Sequence, residues 1–297
     1  MTNTINPCNE RNEELKYCYK YPHPSVTTDC VIFGFDGKKL QVLLVQRGNE
    51  PYKGCWAFPG GFMNMDESAE EGALRELQEE TGLKDAYIRQ FHTFTAPQRD
   101  PRERVITIAY YALVRIQEVK GEDDAIDARW FTLERIPQLA FDHDQILQKA
   151  IQTLRRQIHF EPIGFELLPE EFTLMELQSL YEAILDGRFD HRDFYDKMNK
   201  LGILEQINET VHPTQKNEGK LFRFNKAKYE ELKKRRIQHD FLNPNRFIRP
   251  FYTNKPSFCH QSSRFSVTLE SYRSYEIGFV VLFVGVSGMK YRHIQGA

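Results

Sequence analysis

Hydrophobic and polar positions along this chain follow two different periods, and the changes between them mark its elements. The run SVTTDCVIFGF, Ser25 to Phe35, is dense in β-branched and aromatic residues and predicts a strand. Asp36-Gly37 supplies a turn and LQVLLV over 40–45 returns, so the pair predicts a hairpin. A loop with Pro51, Gly54, Pro59, Gly60 and Gly61 follows. The spacing then turns helical over 67–81, and Gly82 stops it. Strands are expected over 86–94, 105–114 and 128–132. The second of these, VITIAYYALV, is apolar or β-prone almost throughout, as a buried strand should be. A helix over 145–156 puts Ile146, Ala150, Ile151 and Leu154 on one face. This mixed order predicts an α/β or α+β first domain over 23–157, preceded by a polar leader over 1–22.

Pro162, Gly164 and Pro169 mark a linker over 158–169. Beyond it, Thr173-Leu-Met-Glu176 has the spacing of a capping box. Leu174, Leu177, Leu180, Tyr181, Ile184 and Leu185 then form a helical stripe that Gly187 breaks. Asp190 caps a second helix carrying Phe194, Met198 and Leu201 inward, and Gly202 stops it. Strands over 203–207 and 221–224, joined by a polar loop, precede a basic helix over 227–236. Helix, turn, helix and a two-stranded wing outline a winged-helix domain over 170–236. Residues 237–297 show no clear periodicity and receive no fold.

The length of 297 residues suits two domains, and 40% hydrophobic with 28% charged residues is ordinary globular composition. Lys and Arg number 40 against 42 Asp and Glu, which excludes a histone-like polycation. Five scattered cysteines, with no Cys-x-x-Cys pair, support neither a disulfide framework nor a zinc ribbon and point to a reducing, cytoplasmic setting. The N-terminus lacks the apolar core of a signal peptide. The most apolar run, Ile277 to Met289, falls short of the roughly 20 residues that span a bilayer.

The chemistry concentrates in GGFMNMDESAEEGALRELQEETGL, Gly60 to Leu83. On a helix, Glu76, Glu79 and Glu80 share one face, where like charges at this spacing repel. A divalent cation would relieve that repulsion, and Mg²⁺ or Mn²⁺ prefers such hard oxygen donors and bridges to phosphates. Ala69, Gly72 and Ala73 lie on the same face, small enough to let the glycine loop come close. Arg75 beside the cluster is placed to clamp a carboxylate with two hydrogen bonds.

From Gly61 there are five residues to Glu67, seven more to Arg75, then Glu76-Leu77, Glu79-Glu80 and Gly82-Leu83. This resembles the Nudix box, G-x5-E-x7-R-E-U-x-E-E-x-G-U with U aliphatic, at every fixed position. The resemblance implies an α/β/α sandwich that hydrolyses a nucleoside diphosphate linked to another moiety. It implies that Glu76, Glu79 and Glu80 hold the metal, that Gly60 offers it a carbonyl, and that Glu67 and Arg75 order loop and helix. One of the glutamates, or a later acid, would orient or deprotonate the attacking water.

Relatives that cleave ADP-ribose often carry an arginine-rich segment after the box. Here Arg99, Arg102 and Arg104 occupy that place and are candidate substrate clamps. Glu122, Asp123 and Asp124 are candidates for a further carboxylate, and Tyr52, Trp56 and Phe58 for stacking on a base.

A Nudix domain followed by a winged helix resembles the Nudix-related transcriptional regulators. The C-terminal resemblance lies in EPIGF over 161–165, Leu168-Pro169, Phe172-Thr173, LQSLYEA over 177–183 and KLFRF over 220–224. It implies a dimer that senses an ADP-ribose-like or sugar effector and reads operator DNA with the second helix. Candidate DNA contacts are His191, Arg192, Lys197 and Lys200 on that helix, with Lys216 and Lys220 in the wing. Between Thr173 and Arg236, 13 Lys and Arg face 11 Asp and Glu, a weak basic bias. The sequence thus predicts a Mg²⁺-dependent Nudix hydrolase of the ADP-ribose type fused to a winged helix. The alternative is a regulator that senses such a ligand without turning it over.

Overall fold

The computed structural model describes residues 21–83, 86–119, 125–210 and 220–234. Its main sheet has seven strands: β1 (Ser25–Phe35), β2 (Leu40–Arg47), β3 (Trp56–Ala57), β4 (Gly60–Phe62), β5 (Tyr87–Phe94), β6 (Val105–Leu113) and β7 (Ala125–Thr132). The order β3-β2-β1-β6-β5 forms its spine, with β7 paired to β2 and β4 to β1. Strands β1 and β6 run parallel, and the other pairs are antiparallel. The first half of β1 pairs with β4 and its second half with β2, so one strand joins the hairpin to the glycine loop.

Two helices cover the two faces of this sheet, and the strand period of two decides which residue meets which. Helix α1 (Ala69–Thr81) buries Ala73 and Leu77 against Cys30, Ile32, Leu43, Val45, Tyr110 and Ala112. Helix α2 (His143–Gln157) buries Ile146, Ala150 and Leu154 against Val31, Phe33, Val42, Leu44, Tyr111 and Leu113. Successive residues of β1, β2 and β6 thus alternate between the helices, which accounts for their nearly unbroken apolar sequences.

Helix α1 begins at Ala69, two residues later than the sequence pattern suggests. Ser68 is its N-cap and forms a capping box with Glu71, and this leaves Glu67 in the loop. Helix α2 starts at His143, two residues earlier than expected, and β7 extends back to Ala125.

The C-terminal part contains β8 (Glu171–Thr173), α3 (Leu174–Leu185), α4 (His191–Leu201), β9 (Leu204–Thr210), β10 (Lys220–Phe224) and α5 (Lys226–Lys234). A three-stranded sheet of order β8-β10-β9 backs the helices. Thr173 and Glu176 close the expected capping box, and Asp190 caps α4 through the amides of Arg192 and Asp193. Helix α3 ends on Asp186 at φ 53° rather than on Gly187, since an aspartate tolerates the left-handed region better than most side chains.

The 158–169 segment, expected as a linker, packs instead of spanning. Ile158, Ile163, Phe165, Leu167 and Leu168 are buried in a cluster that runs from the sheet face under α2 into Leu177, Leu180 and Phe194 of the winged helix. Arg115 donates to the carbonyl of Leu168 at 2.8 Å, and Arg155 to that of Ile184 at 2.8 Å. Among the described residues no helix is long and apolar enough to cross a membrane. The run 277–289 and the whole tail over 237–297 lie outside the described residues, as does most of the leader.

Candidate active site and DNA-binding surface

The glycine loop and α1 are brought together by backbone. Strand β4 pairs with β1 through Thr27 with Phe62, Thr28 with Gly61 and Asp29 with Gly60, which lays the loop along the sheet beside α1. A side chain at Gly60 would run into the Thr28 carbonyl, and one at Gly61 into the Glu76 carboxylate. Gly60 is required for this close approach because the clash is with backbone, whereas at Gly61 the Glu76 side chain would have to move.

Arg75 organises the box. Its Nε donates to Glu67 Oε2 at 2.9 Å and its Nη2 to Glu67 Oε1 at 2.7 Å, a two-pronged pair. Nη1 reaches Glu76 Oε1 at 2.8 Å and Glu79 Oε2 at 2.9 Å, and Nη2 also reaches the Phe62 carbonyl at 3.2 Å. Glu67 additionally accepts from the amide of Asn64 at 2.7 Å. The Arg75 hydrogen bonds, followed by this amide, hold the Glu67 carboxyl down to about 2. Glu80 turns the other way and accepts from the amide of Gly60 at 3.0 Å. Burial, aided by repulsion from Glu76 and Asp29, pushes its carboxyl up to about 8 despite that bond. Burial raises Glu76 as well, against the pull of Arg75.

The box carboxylates therefore lie on one side of the loop but are not drawn into a cage. Among the described residues no group of three or more acidic, histidine or cysteine side chains stands in metal-holding geometry. The donor chemistry still fits a hard divalent cation. Glu76 and Glu80 are half-buried oxygen donors whose charge nearby burial and like charges disfavour, and a cation offsets both terms.

A cleft opens beside the box, lined by Thr27, Asp29, Arg47, Gly60, Phe62, Glu80, Arg99, Arg102, Phe141 and His143. Its floor is a buried polar group. Arg99 binds Asp142 through two hydrogen bonds and lies 3.4 Å from Asp29. His143, 3% exposed, accepts the Phe58 amide on Nδ1 at 3.0 Å, stacks on the Phe58 ring, and points Nε2 at Asp29 from 3.6 Å. Burial keeps its imidazole below the usual range.

The three expected substrate arginines have separate surroundings. Arg99 reaches the cleft floor with Nε and Nη2 taken by Asp142 and Asp29, so it braces the floor and has only Nη1 left to offer a ligand. Arg102 spends Nε and Nη2 on Asp100 at 3.0 and 2.8 Å. Arg104 is exposed and donates to the Ala96 carbonyl at 3.1 Å. Glu122, Asp123 and Asp124 lie outside the described residues. Of the expected stacking residues, Phe58 is buried on His143 and Trp56 packs edge-on against Phe131, while Tyr52 is 41% exposed and meets Phe141 edge-on. Sequence reading missed Asp29, Arg47, Phe141, Asp142 and His143. No local motif marks them, because they converge from β1, β2 and the start of α2.

On the second helix of the winged helix, Phe194 and Met198 are buried. His191, Arg192 and Lys200 are exposed and Lys197 half-exposed, while Asp193 and Asp196 share the same outer surface. His191 is engaged with Gln178 at 2.9 Å. Lys220 opens β10 half-exposed, and Lys216 lies outside the described residues.

This architecture, a box-bearing α/β sandwich whose core continues into a winged helix, defines a class with two parts. The model for the NUDIX domain matches residues 23–154, and the one for the NrtR DNA-binding winged helix domain matches 164–224. The chain belongs to the Nudix family, in its branch that carries an NrtR-type winged helix. It is 34% identical over 215 residues to the ADPR responsive transcriptional repressor NtrR of Acinetobacter baylyi, covering 71% of this chain and 86% of that one. It is 41% identical over 138 residues to an ADP-ribose pyrophosphatase of Methanocaldococcus jannaschii, covering 46% of this chain and 79% of the other. Among solved structures, Shewanella oneidensis NrtR complexed with a 27mer DNA superposes with a TM-score of 0.60 at 30% identity, over 69% of this chain and 95% of that one.

Proposed function

We propose that this protein is a DNA-binding regulator that takes an ADP-ribose-type ligand in its Nudix cleft and hydrolyses it. The observation that carries the reading is an intact Nudix box assembled around Arg75 in a domain whose apolar core runs into a winged helix. The names of the relatives from A. baylyi and M. jannaschii, an ADP-ribose-responsive repressor and an ADP-ribose pyrophosphatase, support both halves. Water would attack the diphosphate of ADP-ribose, giving AMP and ribose 5-phosphate.

Glu76, Glu79, Glu80 and the Gly60 carbonyl are the donors we assign to Mg²⁺ or Mn²⁺, which would neutralise diphosphate charge and polarise water. Glu67 anchors Arg75, and Arg75 fixes the direction of Glu76 and Glu79. The buried floor of Arg99, Asp142 and His143 excludes water from beneath the ligand. Arg192, Lys197, Lys200, His191 and Lys220 form the surface we assign to DNA, which two copies would present to paired half-sites. The acidic residues on the same helix predict modest affinity and strong salt dependence.

The test has two parts. Purified protein is incubated with Mg²⁺ and ADP-ribose and assayed for AMP, with Glu79→Gln as control. The same protein is run in a gel shift against its own upstream DNA with and without ADP-ribose. Turnover lost in the variant, together with a complex that ADP-ribose dissolves, supports the whole reading. Saturable binding without turnover supports sensing alone, the reading favoured by the occupation of Glu76 and Glu79 oxygens by Arg75. No complex at low salt overturns the regulator.

A further inference from the structure

We propose that Arg188, in the turn between α3 and α4, is a further DNA contact that grips a backbone phosphate, with Glu182 and Gln178 of α3 holding it in place. The contact rests on the reading of the winged helix as a DNA-binding unit and adds a residue that lies outside both the second helix and the wing.

The anchor is a buried carboxylate. Glu182 keeps only 9% of its side chain exposed. Its Oε1 accepts from the Phe189 amide at 3.0 Å and from the Gln178 side-chain nitrogen at 2.9 Å, and its Oε2 from Nη1 of Arg188 at 2.6 Å. A buried carboxylate met on both oxygens is a stiff point of attachment. Gln178 lies one turn earlier on the same face of α3. Its nitrogen donates to Glu182 and to the Phe189 carbonyl at 3.1 Å, so its oxygen is the atom turned to His191 Nδ1, 2.9 Å away. One pair of α3 side chains thus fixes both Arg188 and the first residue of α4.

The other edge of the guanidinium faces outward. The Arg188 side chain stays 73% exposed although its ion pair is made. Nη1 is committed to Glu182, which leaves Nε and Nη2 without a partner among the described residues. Those two donors lie parallel and match two oxygens of a phosphate. The neighbouring acids are turned to other groups. Asp190 accepts from the amides of Arg192 and Asp193 at 2.9 and 3.1 Å, and Asp186 stands 3.9 Å from Arg155. When the first turn of a recognition helix reads base edges, the helix before it crosses the sugar–phosphate backbone, and Arg188 sits between the two. Asp193 and Asp196 weaken the attraction of α4 itself, so a cation held just ahead of that helix restores it.

The test is fluorescence-anisotropy titration of the full chain against its own upstream duplex and a scrambled duplex of equal length, across a salt series. Binding is measured below the melting range that circular dichroism gives for each variant, so an unfolded chain is not read as a lost contact. Arg188→Ala should weaken both duplexes about ten-fold and lower the slope of log K against log salt by about 0.9, the loss of one phosphate contact. Arg188→Lys keeps the charge and should recover most of the affinity for both. Glu182→Gln removes a negative charge beside the fork, so charge alone would tighten binding. Loss of the hold on Arg188 should weaken it instead and lower the salt slope. Unchanged affinity and slope in Arg188→Ala overturn the contact. Loss on the upstream duplex alone, without rescue by lysine, overturns the phosphate and assigns the fork to a base edge. Tighter binding in Glu182→Gln overturns the hold by Glu182. Wild-type binding to neither duplex overturns the DNA-binding reading and the contact with it.

Discussion

Arg99 grips Asp142 with a two-pronged pair, Nε to Oδ2 at 3.0 Å and Nη2 to Oδ1 at 2.7 Å, and both side chains are almost wholly buried. Asp142 stands at the N-cap of α2, yet its side chain caps no helix amide. Its carboxylate is committed to Arg99. The arginine comes from the loop between β5 and β6, so the pair ties that loop to the start of α2 under the cleft.

Removing one partner should therefore cost more than a surface ion pair would. Asp142→Ala leaves the Arg99 charge buried without its two-pronged partner, with Asp29, 3.4 Å away, and the Arg102-bound Asp100 to offset it. We expect a loss of about 3 kcal/mol in urea denaturation, the scale set by breaking a buried pair. A loss under half that size would mean that water or Asp29 compensates the cation.

Gly61→Ala should damage catalysis more than folding. The added methyl meets the flexible end of Glu76 and not backbone, so the carboxylate must swing away from Arg75. Misplacing a reacting group by about 1 Å costs on the order of 100-fold in rate. Steady-state hydrolysis with circular dichroism as the folding control measures this. Wild-type turnover in the variant would show that Glu76 needs no fixed position.

His143 should make stability fall on acidification. Burial lowers its folded pKa, Asp29 and Asp142 pull it up, and Arg99 and Arg47 push it down. The unfolded chain then binds the proton more readily, so stability is full above about pH 6.5 and declines as pH drops below it. Glu80, whose carboxyl is pushed up to about 8, acts in the opposite direction over the same range, so the His143 part is read as a difference in denaturation midpoints: between pH 8 and pH 5, His143→Gln should lose less stability, or gain more, than the wild type. An equal slope in the variant would assign the effect to other groups.

Helix α2 reaches from the cleft to the winged helix. His143 lines the cleft at its start, and Arg155 near its end holds the Ile184 carbonyl in the last turn of α3. We expect Arg155→Ala to leave ADP-ribose affinity unchanged while reducing its effect on DNA binding about five-fold, within the usual span of coupling between sites. Gel shifts across an ADP-ribose series read this out. An undiminished response would mean that coupling bypasses the α2 end.

Much of the fold is legible in the order of residues alone. The hairpin, the box helix and both capping signals of the second unit depend on neighbours within a few residues, and they appear where the pattern puts them. The box was legible for the same reason: Glu67, Arg75, Glu76 and Glu79 meet through one loop and one helix. Boundaries shifted where a side chain had a stronger local partner, as when Ser68 and Glu71 capped α1 and excluded Glu67 from it. The cleft was less legible, since Arg99 reads as a free loop arginine until Asp142, 43 residues later, arrives beside it.

Periodicity, caps and motif spacing are local and survive without a partner, so the elements, the carboxylate face and the family are all readable from the order of residues. Long-range packing sets which charges are spent and which stay open. It buried Arg99 on Asp142, committed Arg102 to Asp100, and fused the two expected domains through one apolar core. The physical reason is distance along the chain. A charge is neutralised, and an apolar face covered, by whatever packing brings near, and no spacing rule in the sequence encodes those encounters.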